Sequence, residues 1–325
     1  MSDKQTFKGI FVPILTPVDE HENIDEAKLR KQVDHVIEHG VDGILAFGSN
    51  SEFYMFNDDE MLAATSIIKD EAAGRVPVMF GVGHIRTTKA IELAQRATQL
   101  GVAAVSVLQP MFIEPTAEAL YHHYSAIAKA IAPQPMFIYN NPGRAGYPVP
   151  VDIMVRLAHD CSNIIGVKDS SGNVTNIEEL VRQTRDIDFA VFAGKDTIVY
   201  PSLCVGGAGA VCSTANIYPD LVCGIYDKFE QGDYKGSLED QFKLNPIRNS
   251  QDAASFPSPT KDMANLMGMD VGPSIRPTEA ATGAALDGMK KPCAKLDTYP
   301  ELFEYITIGN RQQVMVCSQS GGRIR

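Results

Sequence analysis

The amino-acid sequence predicts an α/β protein, a (β/α)8 TIM barrel with additional C-terminal helices, and three observations carry that expectation. Short apolar runs recur eight times over about 220 residues, and amphipathic helical stretches separate them. The runs are continuous rather than alternating, as expected of strands covered by helices on both faces. An open doubly wound sheet is the alternative that the same alternation permits.

Residues 9–15 form the first run, followed by a helix that Asp25 can cap and Gly40 can end, with Leu29, Val33 and Val36 on one face. Residues 43–47 are the second. After the loop Gly48-Ser49-Asn50-Ser51-Glu52, Asn57 caps a helix whose first turn carries Asp58, Asp59 and Glu60, all favourable at the positive end of the helix dipole. The third run is 76–80, with a helix over 88–100 closed by Gly101, and the fourth is 103–108, with a helix opened by Pro115-Thr116. Runs five to eight are 135–139, 164–167, 189–193 and 208–212, with helical segments near 151–159, 177–184 and 196–203. Added helices are expected over 234–244 and 259–267, and Pro292-Cys293 interrupts a further helical stretch. The expected organisation is a catalytic barrel over 1–225, a helical extension packed on it over 226–290, and a tail over 291–325 in which periodicity fades and 319–325 reads as disordered.

Composition narrows the function classes. With 29 Lys and Arg against 40 Asp and Glu the net charge is −11, and no Lys/Arg-rich run occurs, which argues against a nucleic-acid partner. No apolar stretch approaches the ~20 residues of a membrane span, and residues 1–6 lack the apolar core of a signal peptide, so a cytoplasmic protein without membrane partners is expected. Six cysteines lack CxxC spacing and the seven histidines form no zinc signature, so no metal site is indicated.

Chemistry concentrates at the sixth run. Lys168 ends the apolar stretch Ile164-Ile165-Gly166-Val167 where it meets the loop Asp169-Ser170-Ser171-Gly172. A half-buried ammonium is costly unless it has a use, and desolvation favours the free amine that condenses with a carbonyl to a Schiff base. The competing reading is a lysine that caps its strand and pairs with Asp169. In a barrel the residues just after each strand face one mouth. There the Ser49, Asn50 and Ser51 loop is suited to cradle a carboxylate, or simply to cap its own backbone. Tyr139 closes the fifth run with a hydroxyl able to move protons, or is a core tyrosine, and Arg144 lies in a Pro/Gly-bounded loop that suits a grip on a second carboxylate.

From Phe7 to Pro273 the chain resembles the dihydrodipicolinate synthase / N-acetylneuraminate lyase family of pyruvate-handling class I aldolases. The resemblance rests on Thr16-Pro17, Gly48-Ser49-Asn50-Ser51-Glu52, Tyr139-Asn140-Asn141-Pro142, Gly166-Val167-Lys168-Asp169-Ser170-Ser171-Gly172 and Gly194-Lys195-Asp196, in that order and spacing. It implies that Lys168 forms the imine with the keto carbon of pyruvate or a longer 2-oxo acid, with no cofactor beyond this covalent imine. Tyr139 is then the proton relay, Ser49 and Asn50 hold the carboxylate, and Val211 and Gly194 border the same pocket. A homotetramer, built as a dimer of dimers, is the family's usual assembly.

Departures bear on the substrate. Asn50 and Ser51 stand where the family's loop has threonine and glycine, and Phe112 stands where the synthases lend a tyrosine to a neighbouring subunit. Arg144, in contrast, falls where those synthases hold the second substrate's carboxylate. The expected activity is a lyase or aldolase joining or splitting pyruvate and an aldehyde, with 4-hydroxy-tetrahydrodipicolinate synthase (pyruvate plus aspartate semialdehyde) as the alternative. A catalytically silent 2-oxo-acid-binding barrel is a reading of another class. At the positions that bind inhibitory lysine in sensitive synthases stand Asp58, Met61, Lys89 and Met111, and Lys89 would repel a second ammonium, so insensitivity to lysine is expected.

Overall fold

The structure, a computed structural model, describes residues 7–293 together with 306–308 and 311–313. In chain order the elements are β1 (Gly9–Pro13), α1 (Glu26–Glu38), β2 (Gly43–Ala46), α2 (Asp58–Ala72), β3 (Val78–Val82), α3 (Thr87–Gln99), β4 (Ala104–Leu108) and α4 (Ala117–Ile131). There follow β5 (Met136–Asn140), α5 (Pro142–Ala145), α6 (Val151–Asp160), β6 (Ile164–Asp169), α7 (Val174–Thr184), β7 (Ala190–Ala193), α8 (Val199–Cys204) and β8 (Gly209–Val211). The C-terminal part adds α9 (Pro219–Glu230), α10 (Tyr234–Ser250), α11 (Ser258–Leu266), α12 (Gly283–Cys293) and an antiparallel pair, β9 (Ile306–Ile308) with β10 (Arg311–Gln313).

Strands β1 to β8 pair in sequence order, all parallel, and β8 returns to β1, closing the (β/α)8 barrel and setting aside the open sheet. Aromatic rings fill the lumen: Phe11, Phe137 and Phe192 lie buried together with Phe7, Leu45, Met79 and Val211. Those rings dictate where glycine must stand. A Cβ at Gly43 would be 2.1 Å from Phe11 Cε1, and one at Gly166 would be 2.2 Å from Phe137 Cε1, so the glycine of the Gly166-Val167-Lys168 run is a space requirement of the barrel interior. A second, larger shell packs the outward strand faces against the helices; Val33, Leu93, Ile127, Leu157 and Leu180 are all buried in it.

The helix starts follow the capping chemistry read from the sequence. Asp25 accepts from Lys28 N–H, and Asn57 with Glu60 forms a reciprocal capping box. Other boundaries moved. Lys168, expected just beyond the sixth strand, lies inside β6. Helix α9 was not singled out, and α10 runs on through Pro246 to Ser250 because Leu244 and Ile247 are fully buried, packing that outweighs the hydrogen bond proline cannot donate. Likewise α12 includes Pro292 and Cys293 rather than being cut there. In the tail, β9 and β10 were not foreseen, and 319–325 lies outside the described residues. The C-terminal helices join the barrel through a core of Leu15, Ile217, Ile247, Met263, Val271 and Met289. Among the described residues no helix is long and apolar enough to cross a membrane.

Candidate active site

Strand geometry brings the reactive groups together. Side chains two apart on a strand share a face, so Lys168 points the way of Gly166, and Tyr139 the way of Phe137, one layer nearer the mouth than the aromatic lumen. Tyr139 and Lys168 are also direct partners across β5 and β6. Lys168 Nζ stands 4.1 Å from the centre of the Tyr139 ring, and the residue is only 5% exposed. Asp169 faces the opposite way: it accepts from Asn140 Nδ2 at 2.8 Å and from the Ser171 N–H at 2.8 Å. The strand-capping pair of Lys168 with Asp169 is therefore not formed, because adjacent strand residues diverge.

Tyr139 is the hub of a hydrogen-bond chain. Its hydroxyl accepts from Asn141 Nδ2 at 2.8 Å and lies 3.2 Å from Ser49 Oγ. Burial pushes the phenol's pKa up, but the Lys168 charge and hydrogen bonding with Ser49 and Asn141 bring it below its ordinary value of 10.0. A phenol so held exchanges protons with a neighbouring amine or carbinol more readily than a free one.

Around this pair lies an open cavity. Ser49, Asn50, Arg144, Gly194 and Val211 border it with Lys168 and Tyr139. Gly194 is there for clearance: a Cβ would meet Ser170 Oγ at 2.0 Å, and that hydroxyl donates to the Gly194 carbonyl at 3.1 Å. Asp196 ties the loop after β7 to the loop after β8 by accepting the Thr214 N–H at 2.7 Å and the Thr214 hydroxyl at 2.5 Å. Arg144, on the short helix α5, stacks its guanidinium 4.0 Å over the Phe256 ring.

Two expected residues are not brought to the cavity. Ser51 is fully buried and donates its hydroxyl to the Ile14 carbonyl at 2.5 Å, while Thr16 donates to the Ser51 carbonyl at 3.0 Å. It braces the loop from behind, since the tight turn after Gly48 sends successive side chains to different sides. Phe112 is 97% exposed, with φ +70°, on the loop after β4. Residues not foreseen as lining the cavity are Asn141, Ser170, Lys195, Asp196, Ser213, Arg248 and Phe256. Asn141 and Ser170 sit within motifs already singled out, whereas Arg248 on α10 and Phe256 beyond it carry no local signal. With Arg248 included, the lining holds four cations (Arg144, Lys168, Lys195, Arg248) against one carboxylate, Asp196, so the cavity favours anionic ligands in a chain that is acidic as a whole.

Comparison with known proteins agrees with this geometry. The model of the dihydrodipicolinate synthetase family matches residues 6–291. The 4-hydroxy-tetrahydrodipicolinate synthase of Methanospirillum hungatei is 34% identical over 293 residues, 90% of this chain and 100% of the relative. Among solved structures, dihydrodipicolinate synthase DapA-2 from Bacillus anthracis superposes with a TM-score of 0.85 at 31% identity, covering 90% of this chain and 99% of the other. YagE, a prophage protein of the dihydrodipicolinic acid synthase family from E. coli K12 in complex with pyruvate, gives a TM-score of 0.85 at 25% identity over 90% of this chain and 99% of the other. With its closed barrel, the lysine beside a buried tyrosine and a match over nearly its whole length, this chain belongs to the dihydrodipicolinate synthetase family of class I aldolase-type lyases.

Proposed function

We propose that the protein condenses pyruvate, held as an imine on Lys168, with an aldehyde that carries its own carboxylate, and that aspartate semialdehyde is the acceptor. One observation carries this reading: an amine 4.1 Å from the ring of a phenol whose hydroxyl continues through Ser49 and Asn141, in a cavity that also holds Arg144, Lys195 and Arg248. The unprotonated Lys168 attacks the ketone carbon, and Tyr139 passes protons to the departing oxygen, which leaves as water. The resulting iminium draws electrons from the methyl carbon, which loses a proton to give an enamine. That carbon then attacks the aldehyde, and hydrolysis of the imine returns Lys168. No other cofactor enters these steps.

Ser49 and Asn50 are assigned to the 2-oxo acid's carboxylate, Arg144 to the acceptor's carboxylate, and Gly194 and Val211 to the walls. Relatives named 4-hydroxy-tetrahydrodipicolinate synthase at 34% and 36% identity support this acceptor, as does Arg144 at the cavity rim. A second reading, an aldolase for a longer hydroxylated acid, is favoured by Phe256 stacked on Arg144 and by Phe112, which cannot carry a proton.

The same reading includes a cytoplasmic homotetramer built as a dimer of dimers, in which Phe112 of one subunit reaches toward its neighbour's cavity. The exposed Tyr54, Ile85, Phe112 and Ile113 support a contact there. It also divides the chain into a barrel over 1–225 and a packed helical extension over 226–290. Incubation with pyruvate, reduction with borohydride and peptide mapping test the chemistry: added mass on Lys168, absent in K168A, is expected, and its absence would refute the imine. An acceptor panel then separates aspartate semialdehyde from sugar-acid aldehydes, and light scattering measures the subunit number.

A further inference from the structure

Asn50 replaces the threonine of the family's loop, and the replacement creates a difficulty that threonine does not have. A hydroxyl turns its proton toward whatever acceptor is present, but a carboxamide has a donor end and an acceptor end. Toward a carboxylate only the NH2 end is attractive; the carbonyl end repels.

The C-terminal extension supplies what would settle that choice. Thr260, near the start of α11 and 2% exposed, donates its hydroxyl to Asn50 Oδ1 at 3.2 Å. With the carbonyl end engaged there, the NH2 is the end left for the cavity that Asn50 borders. Gln251, in the turn after α10, brings Oε1 within 3.4 Å of the same hydroxyl, while its Nε2 is buried without a partner. One hydroxyl has one proton and cannot serve two carbonyls. Turning the Gln251 amide by half a revolution lets Nε2 donate to Thr260 Oγ1, and the chain then runs Gln251 N–H to Thr260 O–H to Asn50 C=O, each proton with one acceptor. Beside it, Lys261 and Glu52 form an ion pair at 2.6 Å, with side chains 1% and 0% exposed, which holds α11 against the loop that carries Asn50.

We propose that Thr260, backed by Gln251, is a positioning residue that fixes which end of the Asn50 amide faces the 2-oxo acid, making the helical extension part of pyruvate recognition. This inference rests on the assignment of Asn50 to the carboxylate, and the test separates the two.

The readout is the pyruvate concentration that half-saturates borohydride labelling of Lys168, measured with the full chain and compared with kcat at saturating pyruvate. T260V, close in shape but without the hydroxyl, is expected to raise the half-saturating concentration about tenfold, the scale of one hydrogen bond to a charged group. Its kcat at saturation should stay within about twofold, since neither Lys168 nor Tyr139 is touched, and T260S should restore parental half-saturation. N50A is expected to show a comparable rise. Parental half-saturation in T260V beside a weakened N50A would overturn the relay alone. An unchanged N50A would overturn the assignment of Asn50 and the relay with it. Should T260V fail to fold, Q251M leaves Asn50 and Thr260 in place and is expected to give about a threefold rise; no rise there would equally overturn the relay.

Discussion

Lys261→Met is expected to destabilise the protein far more than removal of any surface lysine. The Lys261–Glu52 pair has 2.6 Å between charged atoms and side chains 1% and 0% exposed. At an effective dielectric of about 20 that separation corresponds to a gross attraction of about 6 kcal/mol, which is spent largely on taking both charges out of water. Burial holds the lysine's pKa below its ordinary 10.5 although the Glu52 charge and hydrogen bond pull it up, the same opposition of desolvation and attraction. Removing only the ammonium leaves the carboxylate with the Ile275 N–H at 2.9 Å as its remaining donor and no solvent, so the variant should lose about 3–5 kcal/mol. For a chain of this size the loss corresponds to roughly 10 °C in Tm. E52Q should lose a similar amount, whereas E52Q/K261M should be markedly more stable than the sum of the two, because no uncompensated charge is then buried. Thermal and urea unfolding followed by circular dichroism measure all three. A K261M protein within about 1 °C of the parent, or a double variant with strictly additive losses, would refute the reasoning.

Y139F should lower kcat by roughly 10²–10⁴-fold, the range for removal of a proton-transfer group. Because the Tyr139 phenol titrates below 10.0, activity that needs its proton should decline as pH rises through that lowered value, giving an alkaline limb centred below pH 10 that Y139F lacks; a limb at or above pH 10 would count against the relay. His123, buried against Thr87 with Nε2 unpartnered, is pushed by burial from 6.5 down to about 4. The unfolded chain therefore binds a proton in that window that the folded chain refuses, so stability falls as pH drops from about 6.5 to 4, by up to about 3 kcal/mol. H123F should flatten this part of a urea-midpoint profile against pH. Millimolar lysine should leave the initial rate unchanged: Lys89, engaged with Glu92 at 2.6 Å, and Asp58, engaged with His84 at 2.8 Å, present no free anionic pocket for a second ammonium.

Local patterns foretold much of this molecule. Eight continuous apolar runs and their caps led to the barrel because parallel strands buried on both faces cannot alternate, and Asp25 and Asn57 act where their side chains already point. Lys168 was legible because a charge that closes a continuous apolar run is costly unless it has a use. Ser51 misled, since a three-residue turn scatters its side chains and composition does not say which one faces the cavity. Pro292 misled in the opposite direction, and the helix expected to stop at 244 runs on through Pro246, as buried neighbours hold α10 and α12 helical against a local penalty of a few kcal/mol.

What the sequence alone determined was eight strands covered on both faces, the lysine closing the sixth and the tyrosine closing the fifth, all properties of residues a few positions apart. Only the tertiary structure decided that Lys168 abandons Asp169 for Tyr139, that Arg248 and Phe256 join the cavity, and that Thr260 reaches Asn50 across 210 residues. Those contacts depend on how a closed sheet and its trailing helices wind back on the first strands. No window of the chain shorter than the whole domain contains that geometry.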